Sequence, residues 1–544
     1  MATSARAAAR NPWTIMAILN LGLFMTMLDM TIVNIAIPSI ISGLRATLDQ
    51  LLWVVNGYSL VYAMLLITSG RLGDILGPRN LFLAGTLVFA AASAASGFSH
   101  SSTELIAARA GQGVGAAMLA PQTLAYVAAL FPAERRGSAS GMTGGIAGIA
   151  LVAGPTLGGF ITTHFGWSWV FFLNLPISVL TVALTLLFVP DVRPGVRHRL
   201  DVPGVLLATA GIFGVVFGLI EGQRYNWGTV WSFVTIPEIL GGAVAVLLVF
   251  LLTQYARRAG EPLLPLAIFR QRNFMAMVVV IAAMGFAIIG IFLPFTIYLQ
   301  SVLGLSAQDA GLTVAPTVIA IMVMAPVSGT LADRIGGKYL LVAGLLLFVV
   351  GTALIAQTES PTSDRWSFLP GLLVAGTGMG LTFAPLYSIA LRTVDARFGG
   401  VASGVINTVQ EVGSVIASAA VGALLQNRLA TTLHEQAVQR APALPEAFRG
   451  RFVEAFNSAA SGGLEVGRGQ TGTAVTIPPG VPTPVAHQIL QLADTVFTNA
   501  YVTAMRPTLL LPMVVVALTA VTTLVVVQRP QPAAAVATEV LEAA

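Results

Sequence analysis

Two carboxylates, Asp29 and Glu411, stand inside long apolar stretches of the chain. A charged side chain at mid-membrane costs at least about 2.5–3.5 kcal/mol on insertion scales, so such residues usually face a cavity and have a function. Burial favours the neutral acid, and an acid that changes charge near neutral pH can carry a proton or exchange it for a cation. The alternatives are solvation near the outer mouth for Asp29, and a helix-end position or a structural hydrogen bond for Glu411.

Arg109 is a third ionisable residue in an apolar stretch. A guanidinium keeps its proton in a protein and, when buried, needs an acceptor. We therefore expect Arg109 to contact a carboxylate and to control its protonation, so that Asp29 and Arg109 together couple transport to protons. Packing at a helix contact is the alternative.

Two segments, residues 70–79 and 329–338, nearly repeat one another, and each joins two long apolar runs. Their charged members include Asp74 and Arg79 in the first segment and Asp333, Arg334 and Lys338 in the second. The repeat indicates two halves of like design, a common plan of secondary transporters. The charges suit a latch that pairs in one conformation and separates in another, whereas plain turns with solvated charges are the alternative.

A glycine-rich stretch ends in Gly154, Pro155 and Gly158. Glycines at this spacing form a flat helix face that permits close packing, and proline bends the helix. The pattern suits a moving gate, and it is also compatible with static packing.

Composition places most of the chain in a membrane. Of its 544 residues, 56% are hydrophobic and 9% are charged, against about 25% charged in soluble domains. The chain has no cysteine, which excludes disulfides and thiolate metal sites, and its five histidines show no ligand spacing. Motifs of hydrolases, metalloproteases and phosphate-binding loops are absent, so we expect neither an enzyme nor an ATP-driven pump.

Fourteen segments are apolar and of about the 20 residues that a spanning helix needs. They are 13–37, 51–70, 81–98, 104–129, 138–162, 168–189, 203–221, 236–255, 273–298, 311–331, 339–357, 368–390, 400–425 and 507–527.

The loops predict the orientation of these spans. Most of the 28 lysine and arginine residues fall in alternate loops that are cytoplasmic if the N-terminus is inside, whereas the short outer loops contain only Arg45, Arg224 and Arg365. Both termini are therefore predicted to be cytoplasmic. The outer segment 426–506 is the one water-facing region, with helical spacing at 446–460 that predicts a small cap. We expect the cap to serve packing, and a role in substrate passage is the alternative.

Five segments resemble, in chain order, signatures of the fourteen-helix (DHA2) branch of the drug:proton antiporters of the major facilitator superfamily. The matching segments are 28–38, 70–79, 109–115, 154–159 and 167–176. Pro78 and Ser168 stand where the family usually has basic residues. The resemblance covers about residues 13–425 and the last helix.

The resemblance implies an all-α membrane protein with the major facilitator fold. Two six-helix bundles, 1–189 and 273–527, are expected, with two additional helices and their linkers in 190–272 and a cytoplasmic tail at 528–544. Asp29 matches the family's first-helix acid, whereas Glu411 resembles an acid found in some members only. We expect the substrate cavity to be lined by polar and aromatic side chains, which are Asp29, Asn34, Tyr58, Gln122, Asn174, Tyr298 and Glu411.

The resemblance further implies proton-coupled export of amphiphilic, often cationic, compounds. We expect a monomer, and we expect it in the bacterial inner membrane because the excess of arginine and alanine over lysine is typical of high-GC bacterial genomes. The expected partners are a small-molecule substrate, protons and membrane lipids, without metal, cofactor or nucleic acid. The alternatives are a dedicated exporter of one self-made metabolite such as an antibiotic, a transporter of lipids or envelope precursors, and a non-transporting receptor or scaffold.

Overall fold

The structure is a computed structural model. It describes residues 11–44, 48–132, 135–192, 200–256 apart from 223, 226 and 231, 262–392, 394, 398–461 and 483–525. At some helical positions within these ranges, among them Asn34, Pro155 and Asp333, only the backbone is described.

The described residues form fifteen long helices and one short hairpin. The helices are α1 (Pro12–Leu44), α2 (Leu48–Leu76), α3 (Pro78–Gly97), α4 (Ser102–Leu130), α5 (Arg136–His164), α6 (Trp169–Phe188, interrupted at Leu173), α7 (Val202–Gly222), α8 (Ile236–Ala256), α9 (Arg272–Ile297), α10 (Ala307–Ile335), α11 (Lys338–Thr358), α12 (Leu369–Arg392), α13 (Gly399–Arg440), α14 (Glu446–Ser461) and α15 (Thr483–Thr522). The strands β1 (Thr229–Val230) and β2 (Val234–Thr235) pair antiparallel between α7 and α8.

Each predicted span coincides with one of these helices. Among the described residues, thirteen helices are long and apolar enough to cross a membrane. The remaining predicted span lies in α5, which has 29 residues and packs between α1 and α10. At 1.5 Å per residue, that length also suffices to cross the hydrocarbon core.

The region predicted as an outer loop is largely helical. The sequence places the ends of two spans near 425 and 507, but α13 continues to Arg440 and α15 begins at Thr483. Both helices therefore extend well beyond the membrane. With α14, which confirms the helix predicted at 446–460, they form a unit that we call the cap (426–461 and 483–506).

The cap has a hydrophobic interior that is continuous with the core of the second bundle. Leu433, Phe452, Phe456 and Ile489 are buried in it, and they come from α13, α14 and α15. Burial of such aromatic and aliphatic side chains stabilises helices that would otherwise stand alone in water.

The helices α7 and α8 pack on each other, and α7 also contacts α2 and α13. The α7 face that meets α8 is made of Gly211, Gly214 and Gly218, which lie against Leu247, Ala243 and Leu240. The pair thus lies on the same side of the molecule as the junction between α2 and α13, where the two bundles meet.

The two bundles contact each other chiefly through α2 with α13 and through α5 with α10 and α12. We call the end of the molecule that holds the α2–α3, α4–α5 and α12–α13 connections the inner end, which the loop charges predict to be cytoplasmic. Several of the closest contacts between the bundles lie there.

Candidate functional site

Asp29 of α1 forms an ion pair with Arg109 of α4, through Asp29 Oδ2 and Arg109 Nη1. Two amides complete its hydrogen bonding, because Gln112 Nε2 and Asn174 Nδ2 donate to Asp29 Oδ1 at 3.0 and 2.9 Å. The side chains of Asp29 and Arg109 are 0% and 1% exposed. Arg109 thus has the carboxylate acceptor that its position in the membrane requires.

Ser93 of α3 joins this cluster. It accepts hydrogen bonds from Gln112 Nε2 at 2.8 Å and from Asn174 Nδ2 at 3.3 Å. The sequence analysis missed Gln112 and Ser93. Gln112 could have been found, because it lies three residues after Arg109 on the same helix face, whereas nothing in the sequence distinguishes Ser93 from Ser96, the other serine of α3.

Arg109 also connects α4 to α2. Its Nε donates to the carbonyl of Val54 at 3.1 Å, and its guanidinium lies over the ring of Tyr58, 4.5 Å from the centroid. The aromatic face attracts the cation, and the attraction is strongest where water is excluded. The charge of Arg109 is therefore balanced from three sides.

Asp29 is predicted to line the substrate cavity. In this conformation its carboxylate is buried inside the first bundle, where α4 supplies Arg109 and Gln112 and α6 supplies Asn174. Two residues further along α1, Thr31 lies directly against Gly154 of α5, so that any side chain at position 154 would overlap it.

Tyr58 connects this cluster to the surface between the two bundles. Its ring stacks on that of Tyr62, with centroids 6.1 Å apart and planes at 11°, and its hydroxyl is buried without a hydrogen-bond partner. Among the predicted cavity residues whose side chains the structure describes, Tyr58 interacts electrostatically with both acids, Asp29 and Glu411.

Glu411 of α13 is half-buried, and it interacts electrostatically with Tyr62 of the first bundle. On its own bundle, the neighbouring Gln410 accepts a hydrogen bond from Tyr387 Oη at 3.2 Å. The acid therefore lies on the side of its bundle that faces the first bundle, within electrostatic range of Tyr62.

The other predicted cavity residues lie elsewhere. Gln122 is fully buried, donates to the carbonyl of Ser69 at 3.1 Å and fills the space beside Gly73. Tyr298 is fully buried and donates to the carbonyl of Ser360 at 2.7 Å. Both serve helix packing in this conformation. The side chain of Asn34 lies outside the described residues.

Asp74 links the two bundles at the inner end. Its carboxylate accepts hydrogen bonds from the backbone amides of Gly400 at 3.0 Å and Val401 at 3.2 Å, which open α13. The first amides of a helix lack acceptors within the helix and carry partial positive charge, so they attract a carboxylate. Asp74 thus contacts the opposite bundle, as a latch requires; these two hydrogen bonds go to a helix terminus, and the nearby Arg71 also interacts with it electrostatically.

Beside Asp74, the backbones of α2 and α13 lie so close together that glycine is required at the contact. Gly70 and Gly400 face each other so closely that a β-carbon on either would overlap the other's carbonyl, and a β-carbon on Gly404 would lie 2.8 Å from the Leu66 carbonyl. The inner ends of α2 and α13 are therefore in direct contact, which leaves no passage between them.

The second repeated segment is not equivalent to the first. Lys338 donates to the carbonyl of Leu524 at 2.8 Å, within its own bundle, and Arg334 is exposed. The side chain of Asp333 lies outside the described residues. Arg79 in the first segment donates to the carbonyl of Leu186 at 2.8 Å, also within its own bundle.

Arg136, which the sequence analysis did not select, is a second link between the bundles. It donates to the carbonyl of Leu391 at the end of α12 at 2.8 Å and to the carbonyl of Ala128 in its own bundle at 2.9 Å. Arg136 and Asp74 thus both link the two bundles at the inner end.

The glycine-rich face of α5 packs in two directions. Gly141 lies against Ala325 and Pro326 of α10, whereas Gly154 lies against α1 and the nearby Gly158 is buried. The predicted close packing is therefore present at Gly154, and its partner is the helix that bears Asp29.

An apolar groove of about 390 Å³ lies between the start of α1 and the helices α5 and α10, beside Trp13, Met142 and Pro326. Its lining contains no charged residue. No group of three or more potential metal ligands occurs among the described residues. The arrangement as a whole offers protonation sites and a closing contact, and not a centre for covalent chemistry.

Comparison with known proteins gives a consistent result. The family model described as Major Facilitator Superfamily matches residues 19–418. The multidrug resistance protein Stp of Mycobacterium tuberculosis is 34% identical over 78% of this chain and 77% of its own length. The tetracenomycin C resistance and export protein of Streptomyces glaucescens is 34% identical over 78% of each chain.

A solved structure of the proton:xylose symporter XylE aligns with a TM-score of 0.56 at 14% identity, covering 83% of this chain and 94% of that one. This likeness concerns the fold alone. With the family model and the relatives, it establishes that the chain belongs to the major facilitator superfamily and is a membrane transporter, not an enzyme.

Proposed function

We propose that this transporter exports amphiphilic, preferentially cationic drugs across the cytoplasmic membrane in exchange for protons. The single observation that supports proton coupling best is the buried pair of Asp29 and Arg109. The names of the relatives support drug export, because they include a multidrug resistance protein and an antibiotic export protein.

The pair suits proton coupling because protonation changes it as a unit. A proton on Asp29 abolishes the ion pair and leaves the guanidinium of Arg109 without its counter-charge. Breaking a buried pair in this way typically costs about 3–5 kcal/mol, so protonation and rearrangement of the surrounding helices must occur together. Arg109 also contacts Tyr58, which gives the rearrangement a direct route to the surface between the bundles.

The proton gradient across the membrane supplies enough free energy for uphill export. One proton moving inward gains about 2.3 kcal/mol per 100 mV of membrane potential, and each unit of pH gradient adds about 1.4 kcal/mol. Inhibitors of the gradient should therefore abolish uphill export.

Glu411 is proposed to attract the cationic part of the substrate. It is a half-buried carboxylate between the bundles, among Tyr62, Tyr387 and Gln410. A negative charge with tyrosine rings nearby suits an amphiphilic cation, since such rings contact apolar groups and also attract positive charge.

The decisive experiment uses purified protein in liposomes with an imposed pH gradient. We expect Asp29→Asn to retain substrate binding and gradient-independent exchange of substrate, but to lose uphill export. Asp494→Asn, on the exposed part of α15, is the matched control and should export as the wild type does. Uphill export by Asp29→Asn at the wild-type rate would refute the assignment of Asp29.

A dedicated exporter of one antibiotic is the second candidate, favoured by the tetracenomycin C export relative. A substrate panel separates the two. A multidrug exporter transports several unrelated amphiphilic cations, whereas a dedicated exporter transports one chemical scaffold and its close analogues.

A further inference from the structure

Glu359, which directly follows α11, is buried in an unusual way. Its side chain is 1% exposed, and both of its carboxylate oxygens lack a hydrogen-bond partner. It is the only carboxylate of the described residues with this combination. An isolated buried carboxylate is costly in its ionised form, and the usual response is to bind a proton.

The neighbouring polar groups do not satisfy the carboxylate. Tyr298, after α9, donates to the carbonyl of Ser360 at 2.7 Å, and Tyr501 of α15 donates to the carbonyl of Pro294 at 2.9 Å. Arg506 of α15 donates to the backbone carbonyl of Glu359 at 3.2 Å, and not to its side chain. These three are the titratable groups that interact electrostatically with Glu359.

The electrostatics agree with the geometry. Burial raises the pKa of Glu359 from 4.5 to about 8, although the positive charge of Arg506 opposes the rise. Glu359 lies at the end of α11 opposite Lys338, outside the membrane-spanning part, and therefore on the outer side in the predicted orientation.

We propose that Glu359 is a proton-binding site at the outer end of the second bundle. In the present conformation the carboxyl is neutral, and Arg506 is bound to the main chain. Loss of the proton creates a carboxylate beside Arg506, and the two then form an ion pair that joins the end of α11 to α15 and the cap. The ligand is a proton from the outer aqueous phase, and the site is separate from Asp29, which lies in the other bundle.

The orientation of this site rests on the proposed membrane topology, but its proton binding does not depend on transport. Thermal unfolding of the purified protein therefore tests it directly. A group whose pKa is raised by folding binds more protons in the folded state between the two pKa values, so stability falls as pH rises from 4.5 to about 8 and is constant above that range.

Glu359→Gln resembles the neutral acid and cannot titrate. We expect its Tm to equal that of the wild type near pH 5 and to exceed it increasingly up to about pH 8. Asp494→Asn, an exposed carboxylate of α15, is the matched control and should follow the wild-type pH profile. Equal Tm differences between Glu359→Gln and the wild type at all pH values would overturn the proposal.

Infrared spectroscopy of the wild-type protein provides a second test of proton binding, which remains possible if Glu359→Gln does not fold. The wild-type protein should lose the carbonyl band of a protonated carboxyl group around pH 8, and Arg506→Gln should shift that loss to higher pH because it removes the stabilising cation. An unchanged midpoint in Arg506→Gln would also overturn the proposal. If the protein binds this proton but exports no drug, the proposed function is refuted and the proton site at Glu359 is not.

Discussion

Asp29 and Glu411 are both acids within membrane helices, but their surroundings give them different properties. Asp29 accepts hydrogen bonds from three side chains, one of them the cationic Arg109. Among the described residues, no hydrogen bond to the Glu411 side chain occurs, and this acid is half-buried at the surface between the bundles. Asp29 is thus suited to respond to a proton, and Glu411 to attract a mobile cation.

Glu411→Gln should weaken cationic substrates more than neutral ones. The charge attracts a cation through a low-dielectric surrounding, where Coulomb energies are several times larger than in water. We expect the affinity for a monovalent cation to fall about tenfold, which corresponds to about 1.4 kcal/mol, with little change for a neutral compound of similar shape.

Binding constants for a matched cationic and neutral pair, measured on wild-type protein and on Glu411→Gln, provide the test. Gln410→Ala on the same helix turn is the control for altered packing, and it should affect both compounds alike. Equal losses for the two compounds in Glu411→Gln would indicate a structural role for Glu411.

The residue scale also shows what the sequence could predict. Asp29, Arg109 and Glu411 stand out because charge is rare in apolar helices, so their identification needs no structure. Glu359 does not stand out, because a glutamate just after an apolar segment resembles a solvated helix end. Its burial arises from α15, whose Arg506 and Tyr501 lie more than 140 residues away in sequence.

At the scale of elements, the predicted latch corresponds to a contact between a side chain and a helix terminus. Asp74 binds the amides that begin α13. Its aspartate was predictable from the repeated segments, but its partner was not, because every helix N-terminus offers the same unpaired amides. Only the packing of α2 on α13, through Gly70, Gly400 and Gly404, selects one of them.

Asp74→Asn should shift the transporter toward a conformation that is open at the inner end. Asparagine keeps an acceptor for one amide but loses the negative charge, and a charge in a partly buried site at a helix terminus contributes up to about 2 kcal/mol. A loss of that size changes the ratio of closed to open molecules by up to about 30-fold.

The native chain has no cysteine, so single cysteines placed in the cavity near the inner end report this opening through their labelling rate. We expect the cysteines to be labelled faster in Asp74→Asn than in the wild type. Asp333→Asn should change the labelling rate by a different amount, because the two repeated segments make different contacts. Arg334→Gln, at an exposed position, should label as the wild type does. Unchanged labelling in both aspartate variants would remove the latch from the mechanism.

At the scale of the whole molecule, hydropathy predicted the membrane helices well but not the ends of α13 and α15. Polarity ends a predicted span, yet these helices continue into water because the cap buries Leu433, Phe452 and Ile489. Such helices are stabilised by tertiary packing of one amphipathic face. Hydropathy averaged over a window of sequence does not detect this packing.

The loop charges predict the orientation of the whole molecule, and this orientation determines the direction of every proposed step. Arg135, Arg136, Arg334 and Lys338 lie at the inner end, which the excess of positive charge predicts to be cytoplasmic. The cap and the end of α11 that carries the buried Glu359 are then on the outer side, from which protons enter in the proposed antiport. Reversal would place Glu359 on the cytoplasmic side and would make the Asp74 latch an outer one.

Single-cysteine labelling in intact cells tests this orientation. Gly450→Cys lies on α14 of the cap, at an exposed position where a β-carbon has no neighbour within 4 Å, so the substitution should not disturb the fold. We expect a membrane-impermeant maleimide to label Gly450→Cys in intact cells, and Arg334→Cys only after permeabilisation. The cysteine-free wild type gives the background. The opposite labelling pattern would place the cap in the cytoplasm and would contradict the predicted topology. It would not decide whether protons are the coupling ion, because the positive-charge rule concerns insertion into the membrane and not transport.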